Sequence, residues 1–387
     1  MDQLMIYFII LVVLALFALL YDVLNIREGG SVIYWGAWLL LVCLAGFRYK
    51  VGGDTYNYMT IYQILPNLQN ILNDDLGIAK LQPLWLFFTA IAKSIGDDFY
   101  IFQFLHAIVV NAAIFFFIYK NTNYRFTAIL LYYFSFYPMF NFELLRESLA
   151  VCCFLASIKY YINKNWIKYH LIITAAFLFH FSAVFLYFLP FIRSSNPKPK
   201  SLILIFIIAA LLSPFLDAPI NSLAEVPLLG QIVGEYAEYK YSFLGLISIF
   251  FFYLFTPLIL SSIVTKNIEI NSNCLILARK WLLIGAITPL LFIFYRFFNY
   301  FSMVFIIILC EVGHGVIKNI RPRSSKFLIT LMLFFSALIF GTGGFFKDTS
   351  DLVPATRWYI RWYPYHSIFD PITVPERDRL IEIQTTI

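Results

Sequence analysis

The apolar positions of this chain fall in long blocks, and the polar positions gather in the stretches between them. About twelve blocks can be marked: Leu4–Leu20, Val32–Phe47, Leu81–Ala92, Phe99–Tyr119, Phe126–Phe142, Leu149–Ile162, Tyr169–Ile192, Leu202–Leu216, Phe243–Val264, Leu275–Phe294, Phe297–Val312 and Phe327–Phe346. A helix needs roughly 20 apolar residues to cross the hydrocarbon layer of a bilayer. An open strand edge cannot sit in lipid, because its backbone groups would have no partners there. The pattern therefore predicts an all-α polytopic membrane protein with about twelve transmembrane or re-entrant helices. It shows no internal repeat and no linker, which reads as one integral membrane domain over residues 1–387. Two long polar stretches interrupt the blocks, 48–80 and 217–242, and a polar tail runs over 347–387. The first block lacks a basic start and a small-residue cleavage site, so it is expected to stay as a helix.

Composition sharpens the class. Hydrophobic residues make up 61% of the chain and charged residues 13%, with a mean hydropathy of +0.79. A soluble domain carries about 25% charged residues, so this chain cannot cover itself with a polar surface. The five cysteines form no CxxC and no Cys/His cluster, which argues against a zinc site or a disulfide framework. The net charge of +6 reads as basic cytoplasmic loops and not as a nucleic-acid surface.

Those loops set an orientation. Lys120/Arg125, Lys159/Lys164/Lys168, Arg193/Lys198/Lys200, Lys266/Arg279/Lys280 and Lys318/Arg321/Arg323/Lys326 should face the cytoplasm, with 217–242 and the tail outside. The loops flanking Tyr169–Ile192 are both basic, so this block should not cross once. A broken pair of short helices with His180 near the turn satisfies the charge pattern, and such breaks are tolerated where they line a protein cavity. Leu81–Ala92 is short enough to be re-entrant or interfacial.

A charge inside a membrane block costs several kcal/mol and is by default a functional candidate. Arg48 opens Arg48-Tyr-Lys-Val-Gly-Gly-Asp54-Thr-Tyr-Asn-Tyr58, where two glycines permit a tight turn between a cation and a carboxylate. Tyr56 and Tyr58 offer flat faces of the kind sugars stack on. A loop salt bridge with interfacial tyrosines accounts for the same residues equally well. Glu143, Arg146 and Glu147 lie between two blocks at spacings that share a helical face, which an interfacial helix start with local pairing also explains. An arginine at a helix start opposes the dipole, which favours an outside anion as its partner. A guanidinium fork suits a diphosphate.

His180 is either a proton acceptor or a hydrogen-bond donor to a neighbouring helix. Arg296, in the polar kink Phe294-Tyr-Arg296-Phe-Phe-Asn-Tyr300, is a second candidate anion ligand or a snorkelling side chain. Arg357, Arg361 and Tyr365 alternate with aromatics in the tail. That pattern serves a saccharide groove or an interfacial belt. Glu311 and His314, three apart, read as a structural pair.

The order of these pieces resembles the EpsG/Wzy-type family of bacterial polysaccharide polymerases. The matching pieces are Gly46-Phe-Arg48, Gly53-Asp54 with Tyr58, Gln82-Pro83, Arg146 with Leu149-Ala150, Ala176-Phe-Leu-Phe-His180-Phe-Ser182-Ala, Arg296 and Tyr363-Pro-Tyr365. The family often has a glutamate where this chain has Gln82. The resemblance implies a multi-pass protein of the bacterial cytoplasmic (inner) membrane with a fold similar to the GT-C glycosyltransferases. Its substrate would be an undecaprenyl-diphosphate-linked oligosaccharide repeat unit, joined to the next unit at the outer face. No cofactor, nucleotide sugar or metal is expected, and a separate chain-length regulator is a possible partner. In that frame Arg48, Arg146 and Arg296 are candidates for the diphosphate, and Asp54 and then His180 for the base. Tyr56, Tyr58, Glu143, Arg357, Arg361 and Tyr365 are candidates for the saccharide. Three rivals stay open: a related ligase or transferase, a lipid-linked oligosaccharide flippase or transporter, and a non-catalytic scaffold subunit.

Overall fold

Backbone groups in hydrocarbon must be paired within their own segment, and the regular elements of the computed structural model are all helical among the described residues. The structure describes residues 4–71, 82–216, 222, 241–260, 272–319, 349, 352–353 and 356–386. The Phe327–Phe346 block lies outside them, as does nearly all of the 217–242 loop.

In chain order the helices are α1 (Leu4–Phe17, continuing as a π-helical turn Ala18–Val23), α2 (Gly30–Gly46), α3 (Thr55–Ile64), α4 (Pro83–Ile95), α5 (Phe99–Asn121), α6 (Arg125–Ser135), α7 (Leu145–Ile162) and α8 (Trp166–Phe179). They are followed by α9 (Pro199–Leu212), α10 (Phe243–Ile249, continuing as a π-helical turn Phe250–Phe255), α11 (Ser272–Ile287), α12 (Phe297–Asn319) and α13 (Pro375–Thr386). Among the described residues, five stretches are long and apolar enough to cross a membrane: Met5–Val23, Phe99–Asn121, Pro199–Leu216, Phe243–Leu260 and Phe292–Val316. Shorter apolar helices, α2, α4 and α8, accompany them. At 1.5 Å per residue, the 13 residues of α4 reach about 20 Å, less than the roughly 30 Å hydrocarbon layer.

The described residues form two compact units. One comprises those of Met1–Ala183 with Ala337–Ile387, and the other those of Val184–Ser336.

In the first unit α2 packs on α5, α5 on α7, α1 on α6, and α8 on both α7 and α4. α1 and α2 are apolar on all sides, as helices surrounded by other helices and lipid are. Tyr34, Leu41, Ile114 and Phe115 are buried, while Phe8, Leu16, Leu39 and Phe116 point outward. One set of interior polar groups is paired within itself. Asn111 Nδ2 donates to Asn141 Oδ1 at 2.7 Å, Asn141 Nδ2 to Tyr132 Oη at 2.9 Å, and Tyr132 Oη to Asn111 Oδ1 at 3.1 Å. This closed ring leaves none of those side-chain groups to hydrocarbon, where an unpaired one is costly.

Two breaks in the helices matter for chemistry. After Pro138 the chain makes a π-helical turn, Met139–Glu143, with Leu144 N–H returning to the Met139 carbonyl at 2.8 Å. Leu144 then leaves helical geometry (φ −95°, ψ 55°) before α7 begins. The second break is at His180. α8 stops at Phe179, His180 is extended (φ −154°, ψ 126°), and a 3-10 segment Phe181–Phe188 follows. The interruption expected within Tyr169–Ile192 therefore falls at the histidine.

In the second unit α9, α11 and the π-helical turn after α10 pack together, with α12 alongside α11. Arg296 ends a 3-10 turn, Phe292–Arg296, that leads into α12.

Candidate functional site

The loop after α2 is bound to a segment more than 300 residues further on. Tyr49 N–H donates to the His366 carbonyl (2.7 Å), Gly52 N–H to the Arg361 carbonyl (2.8 Å), and Ile368 N–H to the Phe47 carbonyl (2.9 Å). Tyr365 Oη donates to the Leu44 carbonyl at 3.0 Å. Arg377, at the start of α13, is 1% exposed. It donates to the carbonyls of Ile360 (2.8 Å), Lys50 (3.1 Å) and Pro364. One buried guanidinium thus joins α13, the 357–367 segment and the 48–54 loop. The tail is part of the site's framework.

At the centre is Glu143, delivered by the π-helical turn. Its Oε1 accepts from Gly53 N–H at 2.8 Å and from Trp362 Nε1 at 2.7 Å. Its Oε2 accepts from Asp54 N–H at 3.2 Å and lies 3.4 Å from Arg361 Nη2. The same Nη2 is 3.7 Å from Asp54 Oδ1. Glu143 and Arg361 are nearly buried, at 11% and 12% side-chain exposure, while the Asp54 side chain is 47% exposed. The open carboxylate is therefore held in place by the closed one. Charge-assisted bonds to backbone N–H groups are among the stronger contacts a loop can have.

The two glycines are needed for different reasons. Gly52 has φ +114°, and a Cβ there would come within 2.5 Å of the Phe142 carbonyl oxygen. A Cβ on Gly53 would overlap the Arg361 guanidinium. Gly52→Ala is expected to cost about 1–3 kcal/mol, because the left-handed backbone and the Phe142 contact are rigid. A lowered Tm in detergent checks this, and an unchanged Tm would refute the strain argument.

Arg48 is fully buried. Its Nε donates to Val51 O (3.0 Å) and its Nη1 to Ala45 O (2.6 Å), with the guanidinium 5.0 Å from the Phe142 ring centre. Burial lowers its pKa to about 10, so it stays protonated at neutral pH. In this geometry its Nε and Nη1 tie the end of α2 to the loop, while Nη2 is buried with no hydrogen-bond partner among the described residues. Gln103 adds to the same knot, donating to the carbonyls of Gly46 (2.8 Å) and Arg48 (2.9 Å).

Arg146 is placed differently. It sits in the first turn of α7, half-buried. Nη1 reaches Gln82 Oε1 only at 3.5 Å, and the guanidinium lies 5.8 Å from the Tyr58 ring centre. Its Nε is buried with no hydrogen-bond partner among the described residues. Tyr58 lies one helical turn after Asp54, so Arg146 and Arg361 both lie near the start of α3. Tyr58 itself is buried, and Tyr56 Oη donates to Asp378 Oδ1. Neither tyrosine is an open stacking platform here. Arg357 is exposed.

The tight connection at Asn163–Asn165 makes α7 and α8 an antiparallel hairpin. The far end of α8, His180, thereby returns to the level of the first turns of α7. His180 Nδ1 accepts from Ser182 N–H at 3.3 Å and lies 2.7 Å from Ser182 Oγ. That acceptor role puts the proton of the neutral ring on Nε2.

Sequence reasoning missed Trp362, Arg377, Gln103 and His106. His106 is fully buried, with Nε2 2.9 Å from both Leu145 O and Ser148 Oγ, fastening the start of α7. Among the described residues no group of three His, Cys, Asp or Glu is placed to hold a metal ion.

No curated protein and no solved structure gives a match. A family model does, over residues 31–367. That span takes in the 48–54 loop, the whole of α7, His180 and the 357–367 segment. The match covers nearly the whole chain, and the protein belongs to the EpsG family.

Proposed function

We propose that this membrane protein is a polysaccharide polymerase that joins undecaprenyl-diphosphate-linked oligosaccharide repeat units by glycosyl transfer at the outer face of the bacterial cytoplasmic membrane. Family membership gives the substrate class its support. The observation that carries the site is Arg146. It is a half-buried guanidinium with one long hydrogen bond and an unpartnered Nε among the described residues. A buried donor without a partner calls for an explanation, and a diphosphate supplies the missing acceptors.

The chemistry follows from charge placement. The acceptor hydroxyl attacks the anomeric carbon of the growing chain, and Asp54 takes its proton. The bond from that carbon to the lipid diphosphate breaks, and the diphosphate leaves with the electron pair. Arg146 faces the charge that develops there, where a preorganised cation stabilises most. Arg361 and Glu143 set the position of Asp54. His180 is proposed as the alternative base. Arg48 contributes by shaping the loop. A chain-length regulator would act as a separate partner.

Asp54→Asn tests the assignment. Asn keeps the size and loses the base, so turnover should fall about 10²–10⁴-fold. The readout is the ladder of surface polysaccharide from a deletion strain complemented with wild type or variant. A ladder reduced to single repeat units supports the reading, and a full ladder made by well-folded Asp54→Asn sinks the base assignment. Loss of every repeat unit in the deletion strain would instead indicate a transporter or an earlier transferase.

A further inference from the structure

The second unit holds a cavity of about 250 Å³ that plays no part in the chemistry assigned to Arg146 and Asp54. Most of its wall is apolar, with Leu202 of α9, Pro257, Trp281 of α11 and Phe301 of α12 contributing. Asn196 and Arg279 also line it. Arg279 makes no ion pair or hydrogen bond with a described residue.

The next residue, Lys280, is 1% exposed. Its ammonium donates to the carbonyls of Ile192 and Ser195, immediately before Asn196. No carboxylate meets it among the described residues, and the charges acting on it, Arg279 and Arg193, both repel it. Arg279 thus stands in the lining of an apolar cavity, next in sequence to the buried Lys280, and no described carboxylate pairs with either. Buried or half-buried charge of one sign is expensive unless something pairs with it. Lys280 has a structural duty in closing the 192–195 turn. Arg279 has none that the described residues reveal.

An apolar cavity with a cation in its lining suits an amphiphile with a negative head. The charged residue of its lining, Arg279, lies in one of the basic segments, Arg193/Lys198/Lys200 and Arg279/Lys280, that the charge pattern assigns to the cytoplasmic side. Anionic lipids gather opposite basic segments on that side. We propose that the cavity takes an acyl chain of an anionic membrane phospholipid, with the lipid phosphate on Arg279 beside Lys280. This site is separate from the polymerase reading and does not depend on it.

The test uses the full chain in neutral detergent. Thermal unfolding is followed while phosphatidylglycerol or phosphatidylcholine of equal chain length is added. Phosphatidylglycerol should raise Tm saturably and phosphatidylcholine should not. Arg279→Gln should weaken the phosphatidylglycerol response roughly fivefold, the equivalent of one cation–headgroup contact. It should leave the lipid-free Tm unchanged, because Arg279 pairs with no described group. Ala278→Phe fills the cavity without altering charge and should abolish the saturable shift. Equal responses to the two lipids overturn the proposal, as does a phosphatidylglycerol shift that survives both substitutions. Displacement of phosphatidylglycerol by an equal concentration of undecaprenyl phosphate also overturns it, since the occupant would then be the carrier lipid.

Discussion

Replacing Arg146 by alanine is expected to stop chain growth while leaving the protein folded. The expected loss in turnover is about 10²–10³-fold, the size found when one preorganised donor to a developing anion is removed. Stability should change by less than about 1 kcal/mol, because the side chain is held by one 3.5 Å hydrogen bond to Gln82 and by the face of Tyr58. Arg146→Lys separates charge from geometry. Lysine keeps the cation but cannot present a planar fork to two phosphate oxygens, so its activity should fall between wild type and alanine. The measurement is polymerisation of purified lipid-linked repeat units in proteoliposomes, with Tm recorded for each variant. Wild-type turnover in Arg146→Ala would remove the diphosphate assignment. A lowered Tm with proportionate loss of activity would make Arg146 a structural residue instead.

The sequence and the structure agree where local rules decide. The apolar blocks within the described residues became helices because backbone pairing in lipid leaves no other open-chain solution. Basic residues on both sides of Tyr169–Ile192 were compatible with a broken pair of short helices, and the helix does stop at His180. Gly52 and Gly53 signalled a tight turn, and their positions allow the backbone to meet Phe142 and Arg361.

The roles of individual charges were harder to read, because they depend on contacts between distant parts of the chain. Glu143 and Arg146 were expected on one helical face by their spacing. The π-helical turn and the non-helical Leu144 separate them, so one turns toward the 48–54 loop and the other toward Tyr58 and Gln82. Arg361 is 307 positions from its contact Asp54 and 218 from Glu143, counting 361 − 54 and 361 − 143. No periodicity records such pairings. Arg48 is identical in sequence terms to a ligand arginine. Only its burial between Val51, Ala45 and Phe142 shows that its donors face the protein.

The largest structural effect should come from Glu143. Glu143→Ala strands the N–H groups of Gly53 and Asp54, the Trp362 indole N–H and one contact of Arg361 in a site that is only 11% exposed. Each stranded buried donor costs about 1–3 kcal/mol, and removing one partner of a buried ion pair costs about 3–5 kcal/mol. The sum exceeds what many domains can lose. Little folded protein is expected, seen as loss of the monodisperse peak in size-exclusion chromatography. Glu143→Gln keeps the question answerable. Its oxygen can still accept from Gly53 and Trp362, while its amide places two N–H groups against Asp54 N–H and the Arg361 guanidinium. Donors then face donors, so the Asp54 end of the loop and Arg361 must move while the Gly53 end stays. Turnover should fall more steeply than Tm, and Arg146, which contacts neither group, should still hold the donor lipid. If Glu143 instead serves the saccharide directly, Glu143→Gln should raise KM with kcat largely kept, because a uniform binding contact is removed without displacing the base. The split between kcat and KM therefore decides whether this carboxylate positions Asp54 or binds sugar.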